Sequence, residues 1–146
     1  MPENKDEHYM RAALDEAMKA LGKQEVPIGA VVVCNDIIIA RAHNLTETLN
    51  DPTAHAEMQA ITAAAGWLGG KYLTDCTLYV TVEPCSMCAS ALGWSQAGRV
   101  VYGAGDNKKG YTLINAPLLH PKTAVTKGIL ARECSEPVTK FFKTKR

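Results

Sequence analysis

The chain has 146 residues, 47% hydrophobic and 21% charged, with a formal net charge of +1; that is ordinary for one globular domain able to bury a core without cysteine staples. So small a net charge creates no global field, and any case for nucleic acid must rest on local groups. The polar start of the chain carries no signal-peptide pattern and no apolar run nears the roughly 20 residues of a bilayer span, so the expectation is a cytoplasmic protein with no membrane partner.

In chain order, Met10, Ala13, Leu14, Ala17, Met18 and Leu21 share one face of a predicted helix over Asp6–Leu21, with Gly22 as its C-terminal cap. Ile28–Cys34 and Ile37–His43 flank Asn35-Asp36 and read as a hairpin. Asn44–Thr53 reads as a loop, and Ala54–Leu68 as a helix stopped by Gly69-Gly70. Thr77–Val82 is a predicted strand ended by Glu83-Pro84. A helix over Cys85–Gln96, a strand over Arg99–Ala104 and a long loop over Gly105–Pro121 follow. A short strand is expected near Thr123–Lys127. Leu130–Lys145 reads as helical, with Pro137 breaking or restarting it and Ser135 capping the restart. Strands separated by helices imply a sheet with parallel pairs and helices on its faces.

The cysteines number five, an odd count that argues against a disulfide framework. Cys85 and Cys88 form a C-x-x-C pair suited to metal or redox chemistry; Cys34, Cys76 and Cys134 read as small buried apolar residues. Three apart on a first helical turn, Cys85 and Cys88 face the same way, and the helix N-terminus favours their thiolates. His55 stands at another helix start. If the two starts adjoin, one imidazole and two sulfurs converge and leave a fourth position open, the mark of a catalytic zinc. Zinc lowers the pKa of a bound water from about 15.7 to about 7. Glu57, two residues from His55 and not needed as a ligand, is the candidate catalytic proton shuttle. The pattern H-x-E, then P-C-x-x-C, is a signature of zinc nucleobase deaminases. A non-catalytic zinc module is the competing class; its fourth ligand would be Cys34, Cys76 or His43. His8, His43 and His120 otherwise read as structural or exposed.

Several segments carry a family resemblance: Val26-Pro27-Ile28-Gly29-Ala30, Asn44, Asp51 to Glu57, Leu78 to Ala89, Arg99 to Ala104, and Phe141-Phe142. On these the chain resembles the cytidine deaminase superfamily and, within it, the bacterial tRNA adenosine deaminases. The resemblance implies a three-layer α/β/α fold with a mixed five-stranded sheet, one Zn2+ per subunit and a homodimer. The reaction it implies converts the wobble adenosine of a tRNA anticodon loop to inosine. It makes His55, Cys85 and Cys88 the zinc ligands and Glu57 the catalytic residue, with Asn44, Ala56, Pro27 and Asp106 on the substrate and the Cys85 backbone beside it. Gly105 stands where relatives often carry arginine, a departure that bears on RNA contacts; Trp94 resembles guanine deaminases of the same superfamily, so a free base or nucleoside, guanine first, is the alternative substrate. A basic tail alone reads as a solvated end and two phenylalanines alone as core. The resemblance turns Lys108, Lys109, Lys140, Phe142, Lys143 and Arg146 towards RNA, whose target base must leave its stack to react.

Overall fold

The computed structural model describes residues 4–145. The elements are α1 (Lys5–Gly22), β1 (Gly29–Cys34), β2 (Ile37–His43), α2 (Ala56–Leu68), β3 (Cys76–Val82), α3 (Ser86–Trp94), β4 (Arg99–Ala104), β5 (Ala124–Lys127) and α4 (Ala131–Thr144). The strands form one sheet in the order β2-β1-β3-β4-β5. β1 runs antiparallel to β2 and β3, while β3, β4 and β5 are parallel. Helices α1 and α4 cover one face and α2 and α3 the other, giving the expected three layers and mixed sheet.

Alternation along the strands builds two cores. Ala30, Val32, Leu78, Val80 and Val100 pack with Ala56, Ala60 and Ala64 beneath α2. Val31, Val33, Tyr79 and Val101 pack with Met10, Ala13 and Cys134 beneath α1 and α4. All six residues of β1 are buried, as an apolar run in a doubly covered strand should be. The helix–sheet approach is close: a Cβ on Gly29 would strike the Ala13 carbonyl of α1. The hairpin turn forms as read, with positive φ at Asn35 (53°) and Asp36 (61°), the geometry of a two-residue primed turn.

Two expectations fail. Gly22 is inside α1, and Lys23 is the cap. Pro137 does not break α4, which is continuous from Ala131 to Thr144, and Ser135 hydrogen-bonds back to the Arg132 carbonyl instead of capping a restart. Proline forfeits one bond, to the carbonyl four residues back. That residue is Glu133, which is exposed, so water can satisfy the orphan. The 105–121 loop holds only a short 3₁₀ turn at Tyr111–Leu113 and one bridge, Gly110 to Cys85. Cys34, Cys76 and Cys134 are buried as expected, the first two facing each other across β1 and β3. No described helix is long and apolar enough to cross a membrane.

Candidate metal centre and active site

Two crossings of the sheet bring the site residues together. His55 is the N-cap of α2 and Cys85 the N-cap of α3; neither side chain caps its own helix. Both point instead to a common centre. Gln59 fixes the entry to α2 by donating to the His43 and Ala54 carbonyls (2.8 and 3.1 Å). Cys88 follows one turn into α3 and is fully buried.

His55 Nδ1 lies 3.7 Å from Cys85 Sγ and 3.5 Å from Cys88 Sγ. All three donor atoms fall within 4.8 Å of one another. Zn–S bonds of about 2.3 Å and Zn–N bonds of about 2.0 Å, set tetrahedrally, separate nitrogen from sulfur by roughly 3.5 Å. The three residues therefore fit one zinc ion. Among the described residues no fourth His, Cys, Asp or Glu joins the cluster. Cys34 and Cys76 pair with each other elsewhere in the sheet. His43 Nδ1 instead meets Glu16 Oε1 at 2.9 Å, and His120 accepts from the Lys122 amide. The closed structural site is not formed.

Hydrogen bonding from Cys88, then from His55, lowers the Cys85 thiol to about 4. Its contact with Cys85 and its burial push the Cys88 thiol up, so one proton stays on Cys88 beside a Cys85 thiolate. A metal displaces such a proton on binding. The same thiolate raises the imidazole of His55. Glu57 is 4% exposed, and burial pushes its carboxyl up to about 7.

A cavity of about 260 Å³ opens onto this centre. That is below the roughly 300–1,000 Å³ of drug-sized pockets, and it suits a single flat base. Its wall contains Asn44, Ala56, Glu57, Asp106, Lys109 and Phe142 together with two of the ligands. Asn44 is buried, its Nδ2 3.4 Å from Glu25 Oε1 and from Thr46 Oγ1. Pro27 is fully buried between Val26 and Ile28; these two line the cavity and Pro27 does not. Lys108 borders a neighbouring cavity. Lys140 lies in a groove between α1 and α4, away from the site. Lys143 is exposed and Arg146 is outside the described residues. Phe142 is half exposed, not packed in the core as two phenylalanines alone suggest. Trp94 is 83% exposed and does not line the cavity. Sequence reasoning missed Glu25 and Glu83, both buried; the one legible signal was a glutamate close before a proline at each place.

The family model described as the cytidine and deoxycytidylate deaminase zinc-binding region matches residues 3–104. The chain belongs to this family. The deaminase is 47% identical to the tRNA-specific adenosine deaminase of Bacillus subtilis (strain 168), covering 97% of this chain and 91% of that protein. It is 42% identical to a structure from a study of A-to-I editing by tRNA:A34 deaminases at the wobble position of transfer RNA, with a TM-score of 0.84 over 89% of this chain and 98% of the other. A Bacillus subtilis guanine deaminase structure shares 40% identity, with a TM-score of 0.65 over 68% and 64% of the two chains.

Proposed function

We propose that this deaminase hydrolyses the wobble adenosine of a tRNA anticodon loop to inosine and ammonia, as a single catalytic domain working in the cytoplasm. One observation carries the reading: a three-donor zinc site and a buried, uncoordinated carboxylate share a base-sized cavity with Asn44 and Lys109. The near full-length similarity to tRNA-specific adenosine deaminases supports RNA as the substrate.

Zinc, held by His55, Cys85 and Cys88, supplies the Lewis acidity that makes water nucleophilic near neutral pH. Glu57 takes one proton from the attacking water and delivers it to the ring nitrogen; it then takes the second proton from the oxygen now bonded to carbon and passes it to the amine, which leaves as ammonia while the carbonyl forms. Asn44 orients the base, and the Ala56 backbone borders it. Asp106, Lys109 and Phe142 stand on the same wall to meet the flanking RNA. Lys108, Lys140, Lys143 and Arg146 supply sequence-independent attraction to phosphate.

The test is ammonia release with an anticodon stem-loop and, separately, with guanine, cytosine and adenosine. Turnover of the stem-loop with inosine formed supports the reading. Turnover of guanine alone replaces it with the free-base alternative.

We also propose that the active form is a homodimer. The Leu73 amide donates to Ser95 O at 2.8 Å, which joins the backbone next to Tyr72 to the backbone next to Trp94. With Trp67 and Leu68 they leave large apolar side chains exposed where α2 and α3 end. A patch of this kind marks an interaction surface. Light scattering at micromolar concentration decides between 15.8 kDa and twice that mass.

A further inference from the structure

Two buried glutamates that take no part in the proton transfers make the same kind of contact, each with a loop that lines the cavity. Glu25 Oε2 accepts from both the backbone amide and the hydroxyl of Thr48 (2.6 Å each), and its Oε1 accepts from the Glu47 amide at 3.1 Å. Glu83 Oε2 accepts from the backbone amide and hydroxyl of Thr112 (3.0 and 2.6 Å), and its Oε1 accepts from the Asp106 amide at 3.0 Å. Glu25 precedes β1 and Glu83 follows β3. These strands are antiparallel neighbours, so both carboxylates stand at the end of the sheet that carries the site.

Each glutamate holds a different wall. The loop clasped by Glu25 begins at Asn44, whose amide also reaches Glu25, and ends at the ligand His55. The loop clasped by Glu83 carries Asp106, which in turn accepts from the Lys108 and Lys109 amides. It also carries Gly110, where any side chain would strike the Glu83 carboxylate. On the first wall Asn44 is buried, as Glu57 is, although Glu47 and Thr48 are exposed; the second wall carries the exposed cations Lys108 and Lys109.

We propose that Glu25 and Glu83 are paired positioning residues, Glu25 setting the wall that meets the base and Glu83 the wall that meets the RNA chain beside it. The proposal rests on RNA being the substrate. Its chemical basis is that a carboxylate accepts at both oxygens, whereas a glutamine amide turns a donor towards one of the loop amides.

The test uses the zinc-loaded enzyme and the substitutions Glu25→Gln and Glu83→Gln. Thr48→Val and Thr112→Val serve as milder counterparts that each remove one hydroxyl from an exposed residue. Amide hydrogen exchange reads the clasps directly. Glu83→Gln should speed exchange at Asp106 and Thr112 and leave Glu47 and Thr48 unchanged; Glu25→Gln should do the reverse. On a stem-loop, Glu83→Gln should raise KM about tenfold, equivalent to about 1.4 kcal/mol, with kcat little changed. Glu25→Gln should chiefly lower kcat. Each threonine variant should move in the direction of its glutamate, and bound zinc should stay at one per chain. Release of both loops by either substitution, the same KM and kcat pattern in both, or loss of zinc would overturn the proposal. If the wild-type enzyme makes no inosine, the substrate reading fails by itself, and the exchange pattern still decides whether the clasps exist.

Discussion

Glu57→Gln keeps the side chain's volume and removes its ability to carry a proton. General acid–base catalysis contributes about 10²- to 10⁴-fold. The structure places the loss near the top of that range, because no second carboxylate is free to take over. Glu83 and Asp106 are the other acids on the cavity wall. Glu83 is committed to the Asp106 amide and to Thr112, and Asp106 is committed to two backbone amides of its own loop. We expect kcat to fall about 10³- to 10⁴-fold, or about 4–5.5 kcal/mol in the barrier. The zinc content should not change, since Glu57 is outside the ligand cluster. The assay is single-turnover inosine formation with metal analysis of the same sample. A zinc-loaded Glu57→Gln enzyme that keeps a tenth of the wild-type rate would refute the shuttle assignment.

Four further outcomes are expected. A chelator should abolish activity and added zinc restore it, while far-UV circular dichroism stays unchanged, because neither apolar core contains a metal ligand. Asp6 holds Arg99 through two hydrogen bonds of 2.8 and 2.7 Å, so Asp6→Asn should cost about 2 kcal/mol in urea unfolding at pH 7. The Arg99 hydrogen bonds, opposed by partial burial and helped by Tyr79, depress the Asp6 carboxyl below its ordinary 3.8. A depressed acid adds stability that is complete above its unfolded value and lost as pH falls through its folded one; the gap between wild type and variant should therefore close below about pH 4. Gly29→Ala should destabilise by about 2–3 kcal/mol, measured the same way, since its Cβ meets the backbone of α1. Lys109→Ala should weaken stem-loop binding regardless of sequence and reduce the slope of log K against log salt by about 1.

The strands and the zinc ligands were legible because each leaves a local mark. β1 reads as a valine run because it is buried on both faces. His55 and Cys85 stand out because each opens a helix within a short, chemically unusual segment. What was hidden depends on residues far apart in the chain. Nothing near Glu83 announces that Thr112, 29 residues on, will satisfy its carboxylate. Pro137 misled because the cost of a helical proline depends on whether water can reach the carbonyl it orphans, and that exposure is a tertiary property. Phe142 depends on tertiary context in the same way: two phenylalanines alone suggest burial, whereas the ring is half exposed on the cavity wall, on the side the resemblance gave it.

The mixed sheet also dictates an order of events. The β1–β2 hairpin closes across a two-residue turn, but β3 reaches β1 only after the chain has laid down α2. His55 precedes that helix and Cys85 follows β3, so the imidazole and the sulfurs stay apart until this long-range pairing is made. During synthesis the histidine emerges some thirty residues ahead of its partners, too early to hold a cation alone. Metal uptake thus waits for the β1–β3 pairing, and an apo form with native-like spectroscopy should precede the holoenzyme in refolding.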